Sequence, residues 1–302
     1  MTKIESSINS FIDIINCNNE NSINNFLQKV ENNNIKNLCE NEKKYIDKNY
    51  STIGSRKNTY SKYRMRIENS NLKEELKLEI KKFFRLDKEE RDQFKQDGVL
   101  QVNNDHLNLR TIKDVVGYID MGISLIKSSS YVEKILGFCS LTGRRPAEIG
   151  CSADFSPIDI THLEFSGQLK TRGTDSLKPY VIPCLMNTNE FLRCWQDFRK
   201  QHTKNLIDKD KNKLDDFSSV QLADKFHNSY SKDMSMRVKK YFRNFVTGEI
   251  QTKNLRAIYG CIAMSKFNKD TNKSNQRYLA EILGHSDNDL NTANSYIDFN
   301  NI

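Results

Sequence analysis

The sequence predicts a mainly α-helical protein with one small antiparallel β-sheet, divided into two domains near residue 100. Three observations carry this reading. Apolar residues recur at helical spacing through most of the chain, and alternation is confined to a short region around residues 158–186. Periodicity lapses at 97–110, where Asp97, Gly98, Asn103, Asn104 and Asp105 gather. A chain of 302 residues exceeds the usual single core, so domains are expected at 1–98 and 115–302, with 99–114 as the linker.

Ile4, Ile8, Phe11, Ile12 and Ile15 stand at helical spacing, and Ile23, Phe26, Leu27 and Val30 repeat the pattern after an asparagine-rich break, so two short helices open the chain. The stretch 43–66 then sets Lys43, Lys44, Lys48, Arg56, Lys57, Lys62, Arg64 and Arg66 against the single acid Asp47, with Tyr45, Tyr50, Tyr60 and Tyr63 between them. Such a run can neutralise phosphates while its rings pack on sugars or bases, so the eight bases and Tyr63 form the candidate DNA-binding set. A solvated helix face with core tyrosines is the alternative. A charged helix follows over residues 71–96, with Leu76, Ile80, Phe83 and Phe84 on its apolar face.

Past the linker, Val132, Ile135, Leu136 and Cys139 mark a helix that runs into LTGRRPAEI (141–149), where Gly143 and Pro146 turn the chain toward another helix. Ile158, Ile160, His162 and Glu164 alternate as in a strand, Ser166 and Gly167 make a turn, and a second strand starts near Gln168. KPYVIPCLM (178–186) reads as a third strand. Helices are expected at 188–204, 232–246, 253–266 and 274–283.

A net charge of +8 favours a polyanionic partner without naming it. The seven cysteines form no C-x-x-C pair and have no histidine at zinc spacing, which predicts reduced thiols and no structural metal. The N-terminus lacks an apolar stretch and a small-residue cleavage site, and no run approaches membrane-spanning length. The expectation is a protein of the cytoplasm, or of whichever compartment holds its DNA, with no membrane partner.

Three short strings resemble the tyrosine recombinases. TGRRPAEI has the shape T-G-x-R-x-x-E of their first arginine box, LGHS (283–286) looks like their histidine box, and NTANSY ends in Tyr296. Arg145, Lys170, Arg256, His285 and Tyr296 fall in the family's order, with Lys170 placed 25 residues after Arg145 on the second strand of the predicted hairpin. Three details narrow the resemblance to the telomere resolvases, or protelomerases. The arginine box reads GRRP; Lys253 in KNLRAIYG stands where most tyrosine recombinases have histidine; and 11 residues separate His285 from Tyr296. TYSKYRMRI (59–67) is also similar to a DNA-contacting segment of that family.

The resemblance implies a tyrosine-recombinase-like catalytic domain joined to an N-terminal helical domain that clamps duplex DNA. Arg145 and Arg256 would hold the non-bridging oxygens of a phosphodiester that gains charge during in-line attack. Tyr296 would attack phosphorus, leaving a 3′-phosphotyrosine and a free 5′-hydroxyl, so the bond energy is kept for rejoining and no cofactor, ATP or metal is needed. Lys170 would protonate the leaving oxygen, its pKa lowered by neighbouring arginines. His285 would bond the phosphate or assist tyrosine deprotonation, and Lys253 would add a further donor.

Each residue alone has a simpler reading: Arg145 pairs with Glu148, Arg256 is a helix-surface base, and Tyr296 packs near the C-terminus. The ordered set favours catalysis. Arg144 competes with Arg145 for the first position, and T-G-x-R puts Arg145 in register. A telomere resolvase would act as a homodimer on an inverted-repeat junction and fold each end into a hairpin. An integrase exchanging strands between two sites, or an inactive DNA-binding relative, are the alternatives.

Overall fold

The structure is a computed structural model and describes residues 8–12, 32–107, 109–169, 178–208, 219–269, 273–284 and 299–301. The architecture is mainly helical with a small antiparallel sheet. By backbone contacts it divides into two units, Met1–Gln101 and Val102–Ile302.

The first unit contains a helical turn at 8–12, α1 (Asn32–Asn49), α2 (Ile53–Glu68), α3 (Glu74–Phe83) and most of α4 (Lys88–Leu107). Ile8, Phe11 and Ile12 are buried with Cys39, Ile46, Tyr60, Tyr63, Ile67, Ile80 and Phe84. Phe11 meets Phe84 edge-on at 5.6 Å between centroids, an orientation that sets ring edge against ring face. The second short helix expected near residues 23–30 lies outside the described residues.

Two expectations for this region are overturned. The single helix over 71–96 is broken at Phe84, which is buried, and α4 restarts behind a reciprocal cap. Asp87 Oδ1 accepts from the Glu90 N–H at 2.8 Å, and Glu90 Oε2 accepts from the Asp87 N–H at 3.3 Å. The expected linker is not irregular either, because α4 continues unbroken through Leu107. Val99 and Leu100 are exposed, as are almost all their described neighbours from Arg91 onward, and a helix wetted on every side has no apolar stripe to read. Gly98 weakens such a helix by only about 1 kcal/mol relative to alanine, which is not enough to end it.

The second unit is built around α6 (Tyr131–Thr142), which is buried at every position from Lys134 to Thr142. The helix α5 (Val115–Ile126), which the sequence reading did not anticipate, packs on it through two glycines. A Cβ on Gly122 would fall 2.5 Å from Ser140 Oγ, and one on Gly137 would fall 2.8 Å from the Gly122 carbonyl. Backbones approach here as only glycine allows.

A five-residue π-helix, Glu148–Ser152, leads into the sheet β2 (Asp154–Pro157), β3 (His162–Ser166) and β4 (Tyr180–Pro183), ordered β2-β3-β4 and antiparallel throughout. The alternation expected from Ile158 has the right period and the wrong phase. Leu163 and Phe165 face the core, while Ile158 and Ile160 are exposed in the β2–β3 turn. Asp159 builds that turn by accepting from the Thr161 and His162 backbone N–H groups at 2.6 and 2.8 Å. The strand expected from Gln168 is absent at Gln168 and Leu169; the partner of β3 is β4, and Lys170 falls in their connection, outside the described residues.

The helices α7 (Thr188–Asp208), α8 (Ser219–Phe242), α9 (Asn254–Phe267) and α10 (Asn275–Leu283) follow, with a 3-10 turn at Arg243–Phe245. The helix α8 begins well before the expected residue 232. A second sheet went unforeseen: β1 (Arg110–Ile112) pairs in parallel with β5 (Phe299–Asn301), Arg110 opposite Phe299. Strands of three residues are too short to display a period. Among the described cysteines no disulfide forms.

Candidate active site

Two helices end side by side. Both α6 and α10 close on a glycine in the left-handed region, Gly143 and Gly284, each with φ of 67°. A helix C-terminus leaves carbonyls without helical partners and carries a negative partial charge, so it invites cations. Two arginines answer both ends together. Arg144 donates from Nε to the Thr142 carbonyl at 3.1 Å and from Nη2 to the Ile282 carbonyl at 2.6 Å. Arg256, in the first turn of α9, donates from Nη1 to the Gly143 carbonyl at 2.7 Å and from Nη2 to the Leu283 carbonyl. Consecutive carbonyl pairs, 142 with 282 and 143 with 283, are thus bridged by successive guanidinium groups.

Arg145 emerges from the same turn with its side chain 29% exposed. It donates to Glu148 Oε1 at 2.7 Å, and its backbone N–H donates to Glu148 Oε2 at 2.9 Å. Glu148 is 1% exposed. Burial pushes its carboxyl up, but the charges of Arg145, Arg256 and Arg144, with the Arg145 N–H, outweigh burial and hold it below the ordinary glutamate range. Three guanidinium groups around one carboxylate leave an excess of positive charge, the arrangement that an anionic ligand neutralises.

The structure brings together Arg145 and Arg256 of the expected set; Arg144 and Arg256 are both buried on the two helix ends, and Arg145 is the partly exposed one of the three. Arg144 is 1% exposed, with its Nη1 on the Tyr180 hydroxyl, and it is fully occupied inside the protein. Lys253 is exposed at the residue preceding α9, one turn before Arg256. Lys170, His285 and Tyr296 lie outside the described residues. Their described neighbours are Leu169, which is buried, the α10 cap Gly284, and Phe299, which is buried three residues beyond Tyr296. The rival tyrosine Tyr259 is buried, and its hydroxyl donates to the Pro183 carbonyl at 2.7 Å. Among the described residues no group of three or more His, Cys, Asp or Glu could hold a metal ion.

The basic stretch 43–66 divides on α1 and α2. Tyr63 is buried, stacked on Phe84 at 4.8 Å, and its hydroxyl donates to Glu42, which corrects its assignment to a DNA-facing surface. Tyr63 repeats helically with the core residues Tyr60 and Ile67, so the interleaved tyrosines belong to the packed face. Arg56 donates to Glu90 at 2.6 Å, and Arg64 donates to the Phe84 carbonyl. Lys44, Lys48, Lys57, Lys62 and Arg66 are exposed, and Lys43 is half-buried.

The structure is a helical fold around a small sheet, with Arg145 bonded to the buried Glu148 and Arg256 beside them on the ends of α6 and α10. A model of the telomere resolvase ResT/TelK catalytic domain matches residues 108–299, and the chain belongs to that family of DNA cleaving and joining enzymes. No curated protein matches by sequence. Among solved structures, a tyrosine-to-alanine variant of protelomerase TelA, covalently complexed with substrate DNA, is 22% identical with a TM-score of 0.80, covering 100% of this chain and 89% of that one. An arginine-to-alanine variant of TelA, complexed with DNA hairpin product, is 20% identical with a TM-score of 0.77, covering 99% and 88%. Protelomerase TelK complexed with substrate DNA is 20% identical with a TM-score of 0.61, covering 99% of this chain and 59% of TelK. Among the described residues no helix is long and apolar enough to cross a membrane.

Proposed function

We propose that the protein converts palindromic junctions of replicated telomeres into covalently closed hairpin ends through a 3′-phosphotyrosine at Tyr296. The observation that carries this reading is the pair of fixed arginines, Arg145 held by Glu148 and Arg256 held by the Gly143 and Leu283 carbonyls. Neither arginine need search for its position when a phosphate arrives, which is the preorganisation that stabilises charge developing in a transition state.

In this reading the Tyr296 oxygen attacks phosphorus in line and the 5′-oxygen departs with a proton from Lys170. Arg145 and Arg256 hold the non-bridging oxygens, and Lys253 and His285 add donors around them. The free 5′-hydroxyl of the opposite strand then attacks the phosphotyrosine, releasing Tyr296 and closing the hairpin. Neither half requires an external energy source, because each phosphodiester broken is replaced by one made. A homodimer bound to the inverted repeat supplies one tyrosine per strand, with Lys44, Lys48, Lys57, Lys62 and Arg66 contributing phosphate contacts. The enzyme then works where its replicon's DNA lies.

The test incubates wild-type and Tyr296→Phe protein with junction DNA from its own replicon, without metal or ATP. Ends that snap back to duplex after denaturation, formed by wild type alone, support the reading. Joint molecules between two sites would replace it with an integrase, and binding without any Tyr296-dependent product would reduce the protein to an inactive relative.

A further inference from the structure

Arg144 buries a permanent charge beside the site while presenting no atom to a ligand: it is 1% exposed. Such burial is costly unless every donor direction is used, and an apolar side chain would fill the space more cheaply. Its three donor nitrogens go to the Thr142 carbonyl, the Tyr180 hydroxyl and the Ile282 carbonyl. Its guanidinium also lies over the rings of Phe165 and Tyr180, at 4.9 and 5.4 Å.

Tyr180, the first residue of β4, continues the contact. A Cβ placed on Gly284 would fall 2.3 Å from the Tyr180 hydroxyl oxygen, so the backbone of Gly284 is pressed against that hydroxyl. The point where the chain leaves α10 is therefore set by three features together: the left-handed glycine, the Tyr180 hydroxyl against it, and Arg144 tying that hydroxyl to the ends of α6 and α10. Arg145 follows Arg144 in sequence, and His285 follows Gly284.

Resting on the function proposed above, we infer that Arg144 and Tyr180 are positioning residues that hold Gly284, the residue before His285 in the chain, in register with Arg145. They touch no DNA and act through His285. The two arginines of the GRRP string then have distinct tasks: one meets the phosphate, and the other fixes the helix end from which the chain continues to His285.

Tyr180→Phe keeps the ring and removes only the bridging hydroxyl. The experiment measures single-turnover cleavage of junction DNA at saturating full-length protein, with DNA affinity and melting temperature alongside, for Tyr180→Phe, His285→Gln and the double variant. Tyr180→Phe is expected to slow cleavage roughly ten- to a hundredfold, the scale of a misplaced reacting group, with affinity unchanged. In the His285→Gln background the same change is expected to have almost no further effect, because the residues act in series. Equal losses in both backgrounds, or a loss confined to affinity or melting temperature, overturn the inference. Arg144→Lys, which keeps charge but cannot reach three partners in the plane of a guanidinium, is expected to show the same non-additivity. Should His285→Gln cleave like wild type, the role given to His285 fails instead, and that outcome is visible without either positioning variant.

Discussion

Glu148 holds Arg145 at two points, accepting from its guanidinium at 2.7 Å and from its backbone N–H at 2.9 Å. The second bond fixes the turn and the first aims the side chain, so one buried carboxylate sets both where Arg145 begins and where it ends. Glu148→Gln should therefore lower stability at neutral pH by about 3–5 kcal/mol, the usual cost of breaking a buried pair. Because the folded carboxyl is held below its ordinary range, its stabilisation is fully present above the unfolded value of about 4.3 and is lost as pH falls through the lower folded value. The gap between wild-type and variant melting curves should stay constant above the unfolded value and narrow steadily as pH falls toward the lower folded value; a gap that does not narrow in acid would refute the assignment.

Arg145→Ala should slow single-turnover cleavage by about a hundred- to a thousandfold, the range for losing one preorganised donor to a developing oxyanion. Arg145→Lys should recover little of it, since an ammonium cannot reproduce a planar fork. Binding of junction DNA, measured in parallel, should change far less than the rate.

The division of the basic stretch predicts opposite phenotypes. Tyr63→Phe deletes the hydrogen bond to Glu42 and should cost about 1 kcal/mol of stability while leaving DNA affinity intact. Lys62→Ala or Arg66→Ala, both at exposed positions, should leave stability intact and reduce the slope of log affinity against log salt by about 0.9 for each phosphate contact removed. A salt slope unchanged from wild type in every one of these variants would remove this face from the DNA interface.

Gly143→Ala places a Cβ 2.2 Å from Tyr259 Cδ1 on a backbone with φ of +67°. Tyr259 is buried and bonded to the Pro183 carbonyl, so it has little room to yield. The substitution should cost more than about 2 kcal/mol in denaturant titration. Gly98→Ala is the matched contrast: it meets open space within α4 and should gain about 0.4–1 kcal/mol.

What the sequence made legible depended on how local the cause was. Gly143 and Gly284 are helix stops whose reason lies in their own backbone, a left-handed residue that glycine adopts at no steric cost. The task of Arg144 could not be read this way, because its partners Tyr180 and Ile282 are distant in the chain. The outer half of α4 was missed because it is wet all round and has no stripe that a periodicity argument needs, whereas α5 buries Tyr118, Gly122, Leu125 and Ile126 on a face that two glycines interrupt. Asp87 and Glu90 did carry a helix-start signature in D-x-x-E, which went unread inside a longer charged run.

The pairing of β1 with β5 acts as a leash. Phe299 is buried under the Arg110 guanidinium at 4.3 Å, and Arg110 in turn donates to the Glu249 carbonyl at 2.8 Å and reaches Asn254 in the first turn of α9. The strand that begins three residues after position 296 is thereby moored to the same helix that carries Arg256, so a pull on it is borne by the second unit itself.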